Sequence, residues 1–322
     1  MKTIAVLTSG GDTPGMNAAL RAVFKVGESL GYNVMGVYHG YEGLMTGKIR
    51  QLTHEDFENI VHKGGTVLRT ARSEIFKTAE GQKHALKVIQ AYQIDGLIVI
   101  GGDGSLTGAN LLAQQGLPIM GLPGTIDNDL AYTDYTIGFD TAVNSVTNEI
   151  YKIRDTMRSH DRVGVVEVMG RACGDIALHA GVAGGADYIL VPEVDSKEGY
   201  AKACDLLIAN KLKGKMTSIV MIAEGAGGAS DFCDYVRDNS DVDIRPIVLG
   251  YTQRGGNPSA FDRVNASRMG AMAVELFDKG IINRAVGLRH NKVYDVDLAE
   301  ALTMKKRFDK KLYELNNTLA KF

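Results

Sequence analysis

Three clusters of glycine with acidic or hydroxyl side chains carry the chemistry that can be read in this chain: Gly10-Gly11-Asp12, Gly101-Gly102-Asp103-Gly104-Ser105 and Pro123-Gly124-Thr125-Ile126-Asp127-Asn128-Asp129. Glycines let backbone N–H groups approach phosphate oxygens, and aspartates offer hard oxygen ligands to a divalent cation. The clusters therefore fit the handling of phosphate and magnesium. Asp127 and Asp129, two residues apart beside a Pro-Gly-Thr turn, can hold a base and a metal ligand close together. Four arginines, Arg72, Arg162, Arg171 and Arg254, lie beside glycines or the ends of apolar runs rather than on polar helix faces. A planar guanidinium in such a place grips phosphate bidentately.

Each cluster also has a plainer reading. Gly10-Gly11-Asp12 with Pro14-Gly15 serves equally well as a tight strand-to-helix turn. The Asp and Asn of the third cluster are common in solvated turns. The second is more demanding, since two glycines, an acid and a hydroxyl directly after a four-residue apolar run ask for unusual backbone geometry. The seven histidines include no HExxH and no pair at zinc spacing, so they read as surface or satisfied core residues.

Each cluster follows a short apolar run, residues 4–7, 97–100 and 119–122, which reads as a buried strand. In an open parallel sheet such loops gather at the carboxyl edge. Ile- and Val-rich runs alternate with segments of helical period throughout, the pattern of an α/β protein with helices on both sheet faces. The expected helices are 16–30, 78–92, 105–115 and 141–159, the last with Asp140 as N-cap. A second set of strands, 163–168, 189–191, 219–223 and 247–249, alternates with helices 175–182, 198–210, 231–237 and 262–279. Met169-Gly170-Arg171, Glu224-Gly225 and Tyr251-Thr252-Gln253-Arg254-Gly255-Gly256 follow three of these strands. The fold class expected is two Rossmann-like α/β lobes with mostly parallel sheets and a cleft between their facing edges.

Composition narrows the partners. With 322 residues two cores are more natural than one. A net charge of -2 gives no footprint for nucleic acid or an acidic membrane. No apolar run is long enough to span a bilayer, and the apolar N-terminal stretch ends too early for a signal peptide. Cys173, Cys204 and Cys233 are too widely spaced for a zinc knuckle or a redox pair, which suits reduced thiols in the cytoplasm.

Taken together, Leu7-Thr8-Ser9-Gly10-Gly11-Asp12-Thr13-Pro14-Gly15-Met16-Asn17, GGDGS, PGTIDND, Met169-Gly170-Arg171 and Gln253-Arg254-Gly255-Gly256 resemble, in order and spacing, the bacterial ATP-dependent 6-phosphofructokinase family. The resemblance implies transfer of the ATP γ-phosphoryl to the 1-hydroxyl of fructose 6-phosphate. It implies that Gly11, Arg72, Ser73, Gly102, Asp103, Gly104 and Ser105 hold ATP, with Asp103 placing Mg2+. Thr125, Asp127 and Asp129 match the catalytic loop, with Asp127 as base, and Arg171 stabilises the moving charge. Met169, Gly170, Arg171, Glu224, Tyr251 and Arg254 match positions that grip the sugar phosphate; Arg162 and Arg245 match arginines that reach its 6-phosphate across a subunit interface. The family is a homotetramer with sites shared between subunits. Its lobes are discontinuous, here 1–138 with 251–301 for ATP and 139–250 with 302–322 for the sugar phosphate. Arg21, Lys25, Arg154, Asp187, Lys213 and Lys215 match an interface site for effectors.

The chain departs from the family at several positions. Tyr251 and Ala172 stand where histidines are usual, two residues are inserted between Asp187 and Glu224, and His54, Asn59 and Thr217 replace an arginine, an aspartate and a histidine of the effector site. Glycine at 104 and 124, where pyrophosphate-using relatives carry aspartate and lysine, points to ATP as donor. A nicotinamide-dependent dehydrogenase would need a GxGxxG opening the first helix, which is missing. Lipid and NAD kinases share GGDG but not PGTIDND or QRGG. A silent sugar-phosphate sensor on the same scaffold is disfavoured by Asp103, Asp127 and Arg171.

Overall fold

The computed structural model describes residues 2–194 and 196–322, with the side chains of 196–198 outside the description; residues 1 and 195, which fall inside the expected lobes, are not described. The chain forms two compact units. Unit 1 comprises Met1–Ile126, Leu130–Thr141 and Arg254–Lys306, and unit 2 comprises Asp127–Asp129, Ala142–Gln253 and Arg307–Phe322. The triplet Asp127–Asp129 and the residues Tyr251, Thr252 and Gln253 thus belong to unit 2.

Unit 1 is built on strands β1 (Thr3–Ser9), β2 (Asn33–Val37), β3 (Ile49–Gln51), β4 (Gly96–Gly101), β5 (Ile119–Pro123), β10 (Arg284–Arg289) and β11 (Lys292–Asp297), in the order β11-β10-β5-β4-β1-β2-β3. The inner pairs are parallel, while β3 and β11 run antiparallel at the two edges. Both faces are buried, as a parallel sheet requires. Ile4 and Val6 of β1 join one apolar cluster and Ala5 and Leu7 the other; Ile98 and Ile100 against Leu97 and Val99 repeat this on β4. Helices α1 (Met16–Ser29) and α9 (Ala260–Asp278) cover the first face, and α2 (Gly40–Met45), α3 (Ala79–Ala91), α4 (Asp103–Ala113) and α10 (Leu298–Thr303) the second. Helices α1 and α9 cross closely because Ala19, Ala22 and Gly270 meet there: a Cβ on Gly270 would stand 2.7 Å from the Ala19 carbonyl oxygen. The chain leaves β1 for β2 on one side and reaches β4 on the other, so β1 and β4 flank a switch point where loops diverge and leave a crevice.

Unit 2 contains α5 (Phe139–Ser159) from its fourth residue on, β6 (Val163–Val168), α6 (Asp175–Gly184), β7 (Tyr188–Leu190), α7 (Ser196–Leu212), β8 (Ser218–Ala223), α8 (Ala229–Asn239), β9 (Ile244–Val248) and α11 (Lys310–Leu319). Its four strands are all parallel, in the order β7-β8-β6-β9. Edge strand β9 includes Pro246, and the opposite edge, β7, has three residues.

Two local expectations need correction. The GGDGS cluster is not all loop: Gly102 is the extended N-cap and Asp103, Gly104 and Ser105 form the first helical turn of α4. An acid in that turn faces the positive end of the helix, which favours the helical start. Likewise α5 begins at Phe139, so Asp140 lies inside the helix instead of capping it. The cap comes from α9, where the Asp262 carboxylate accepts hydrogen bonds from the Gly138 N–H (3.0 Å), the Thr141 N–H (2.9 Å) and the Thr141 hydroxyl.

Candidate active site

In unit 1 the end of β1 leads into Gly10, held at φ 86, whose carbonyl accepts the Thr70 hydroxyl at 2.7 Å. At the next residue, Gly11, a Cβ would stand 2.3 Å from a terminal nitrogen of Arg254, so a side chain here would displace that guanidinium. At the end of β4, Gly101 must be glycine because a Cβ would press on Ser105 and on the Ser9 carbonyl. This brings the end of β4 and the first turn of α4 against the end of β1. No side chain caps α4, and the position of a Cβ on Gly104 is open space. An uncapped helix N-terminus with room above it suits an anion.

Asp103 and Arg72 are exposed there, and Arg72 makes no ion pair among the described residues. Ser105 is buried, its carbonyl accepting the Tyr41 hydroxyl at 2.6 Å; Tyr41 in turn stacks on Phe76 with ring centroids 3.8 Å apart. The Ser73 hydroxyl donates to Glu42 at 2.7 Å. Thr125 is buried, and its carbonyl accepts the Thr136 hydroxyl at 2.6 Å. Among the described residues no three acidic, histidine or cysteine side chains converge to hold a metal. A cation at Asp103 would need phosphate oxygens to complete its shell, which is the usual habit of Mg2+.

In unit 2 the carboxylate of Asp127, 3% exposed, lies 3.4 Å from the Arg171 guanidinium, which is 59% exposed. The backbones on both sides are special: Asn128 and Arg171 occupy the left-handed region at φ 52 and φ 54. Side-chain bonds fix them. The Asn128 side-chain amide donates to Asp175 at 2.8 Å, and the Gly170 and Arg171 N–H groups both donate to Glu224, at 3.3 and 2.8 Å. Glu224 therefore sets the turn after β6 that presents Arg171. Gln253 holds the same turn from the other side, its side-chain oxygen accepting the Met169 N–H at 3.0 Å. Tyr251 is exposed.

Other expected residues lie elsewhere. Arg162 precedes β6 and Arg245 is near the start of β9, at the amino end of the sheet whose carboxyl end carries Met169, Arg171 and Glu224. Six residues of strand separate the two ends by roughly 20 Å. Both arginines are ion-paired to Asp243. Of the effector set, Lys25 contacts His54, whose other ring nitrogen lies 2.7 Å from Glu28 in unit 1. In unit 2 Arg154 donates to the carbonyls of Gly184 and Gly185, Lys215 pairs with Asp187, and Lys213 donates to the Phe322 carbonyl at 2.7 Å. Arg21 is exposed.

A family model described as phosphofructokinase matches residues 3–277. The chain belongs to the phosphofructokinase family. It is 53% identical to an ATP-dependent 6-phosphofructokinase of Clostridium novyi (strain NT) over 99% of this chain and 100% of that protein. It is also 53% identical to the protein of the same name from Clostridium botulinum (strain Hall), over the whole of both. Among solved structures, phosphofructokinase from Saccharomyces cerevisiae matches with a TM-score of 0.89 and 36% identity over 99% of this chain, which spans 48% of that chain's length. A pyrophosphate-dependent phosphofructokinase from Marinobacter aquaeolei shares the fold, with a TM-score of 0.83, 21% identity and 96% and 86% of the two chains covered. In this phosphofructokinase-family chain, Asn128, Asp175 and Gln253 act as supports beyond the residues expected from the sequence. Gln253 had a visible signal in the QRGG motif; the Asn128–Asp175 bond, 47 residues apart, had none.

Proposed function

We propose that this chain is an ATP-dependent 6-phosphofructokinase that moves the ATP γ-phosphoryl to the 1-hydroxyl of fructose 6-phosphate. The observation that carries the reading is the buried Asp127 carboxylate facing a half-exposed Arg171 guanidinium. Phosphoryl transfer through a loose transition state needs alignment, charge neutralisation and one proton acceptor more than covalent help. Asp127 accepts the proton of the sugar 1-hydroxyl as its oxygen bonds to phosphorus and the bond to the ADP oxygen breaks. Arg171 offsets the charge on the transferring group.

On the donor side, the first turn of α4 from Gly102 to Ser105, Gly11, Arg72 and Ser73 bind ATP, and Asp103 would hold Mg2+. The cation, when bound, neutralises phosphate charge. Thr125 and Asp129 complete the catalytic loop. Met169, Gly170, Glu224, Tyr251 and Arg254 position the sugar phosphate. Donor residues belong mainly to unit 1 and acceptor residues mainly to unit 2, which supports reading them as a nucleotide lobe and a sugar-phosphate lobe.

Arg162 and Arg245 lie at the far end of their sheet from Arg171, which speaks against their serving the site of their own chain. We read them as the arginines that each subunit lends to a neighbour in a homotetramer. Arg21, Lys25, Arg154, Asp187, Lys213 and Lys215 form the effector site. Three free, buried thiols and no helix able to cross a membrane among the described residues fit work in the cytoplasm. A coupled assay of the purified chain with ATP, Mg2+ and fructose 6-phosphate, run beside pyrophosphate, tests the reading. Turnover with ATP is expected, and turnover with pyrophosphate alone would overturn it.

A further inference from the structure

A groove of about 520 Å³ opens on unit 1 where β2, β3 and the turn before Thr70 meet. Its polar lining is Tyr38, His39, Lys48, Arg50 and Arg69, and Ile49 and Val67 supply an apolar wall. No lining residue is acidic. Arg50 is neutralised by Asp56, 3.0 Å away, and rests over the Tyr38 ring at 5.2 Å. Lys48 and Arg69 are exposed and make no ion pair among the described residues, so the groove keeps two uncompensated positive charges. None of these residues belongs to the candidate active site or to the effector set.

The backbone around the groove is costly. His39 and Arg69 both sit in the left-handed region, at φ 62 and φ 57. Local bonds hold them there: the His39 N–H donates to the Leu68 carbonyl at 2.9 Å, the Arg69 N–H to Thr66 at 3.1 Å, and the Thr8 hydroxyl donates to the Arg69 carbonyl at 2.9 Å. Two strained non-glycine residues tied together and lining one groove mark a place where side-chain direction is being fixed. The groups so fixed, an imidazole and a guanidinium beside a free ammonium, share one chemistry. They take a phosphate-bearing anion.

We propose that this groove is a second binding site for a multiply charged phosphate anion, held by Lys48 and Arg69 against the Tyr38–Arg50 stack. The inference does not depend on the assigned catalytic activity. The chain contains no tryptophan, so Tyr38→Trp places a single indole reporter in the groove and preserves an aromatic face for Arg50.

The test is titration of the full-length Tyr38→Trp protein with sodium tripolyphosphate, followed by indole emission, with and without Lys48→Gln or Lys48→Gln/Arg69→Asn. Asn is chosen because it tolerates left-handed backbone, and Lys48 is exposed, so Lys48→Gln alone leaves the fold intact. A saturable emission change is expected, with the midpoint raised several-fold by Lys48→Gln, at least tenfold by the double substitution, and further by salt. Parallel titrations with inorganic phosphate, ATP and fructose 1,6-bisphosphate separate a polyphosphate, nucleotide or sugar phosphate as the source. No saturable change, or the same midpoint with and without Lys48→Gln, overturns the proposal.

Discussion

Nε of Arg171 lies 3.4 Å from Oδ2 of Asp127, a pairing of one exposed and one buried charge. Replacing Asp127 by Ser should lower kcat by roughly 10² to 10⁴ and leave KM for fructose 6-phosphate nearly unchanged, because a general base acts in the transition state. Steady-state kinetics decide it; a near wild-type kcat removes Asp127 from its role.

The position of Arg162 and Arg245 at the amino end of their sheet makes subunit sharing directly measurable. Arg162→Ala should raise KM for fructose 6-phosphate roughly tenfold or more, in line with loss of a charged phosphate contact. Mixing denatured Asp127→Ser and Arg162→Ala chains and refolding them together should restore part of the activity, since hybrid assemblies contain sites with an intact Asp127 from one chain and an intact Arg162 from the other. Refolded mixtures no more active than the sum of the parents would show that each chain completes its own site.

The open space at Gly104 admits a side chain. Gly104→Asp should fold, as an acid in the first turn suits the helix end, yet repel the triphosphate. KM for ATP is expected to rise at least tenfold while KM for fructose 6-phosphate holds. Unchanged ATP kinetics would separate the α4 N-terminus from nucleotide binding.

His54 sits between Lys25 and Glu28, at a position where the family resemblance implies an arginine. Inhibition by phosphoenolpyruvate and activation by ADP should therefore be weak, and His54→Arg should strengthen the ADP response by about tenfold, the value of one charged phosphate contact. Fructose 6-phosphate saturation curves with each effector measure this. Strong sigmoidality at micromolar phosphoenolpyruvate in the wild type would count against it.

Burial pushes the Asp262 carboxyl up to about 6 even though three donors, led by the Thr141 hydroxyl, stabilise its charge. The folded value lies above that of unfolded aspartate, so between about pH 4 and 6 the folded chain holds a proton that the unfolded chain has released. By linkage this group makes stability fall as pH rises through that window and stay level above it. At about 1.4 kcal/mol per tenfold change in acidity the drop is roughly 3 kcal/mol. Melting temperatures of wild type and Asp262→Asn from pH 4 to 7 should differ by this slope. Parallel profiles would show that Asp262 does not titrate there.

The buried parallel strands were legible because both faces of β1, β4 and β5 are covered, leaving unbroken apolar runs followed by glycine. The antiparallel edges were not. β3 has only three residues, and β11 is only partly buried and charged at Lys292, Asp295 and Asp297; its partner β10 has a buried run from Ala285 to Leu288, but one of four residues flanked by Arg284 and Arg289. Within the site, the acids and glycines could be picked from local pattern. The supporting bonds could not: Glu224 stands in a local motif, but the turn it holds is 53 residues away, and Asp262 acts on a helix start 121 residues away.

The way the two sheets end bears on how copies of the chain meet one another. An open sheet edge is a template on which other copies can add strands, and every edge here is spoiled for that purpose. β3 and β7 are three residues long, β9 includes a proline with no N–H to give, and β11 is charged at Lys292, Asp295 and Asp297. Folded copies of the chain are thus poorly suited to zip edge to edge into cross-β aggregates.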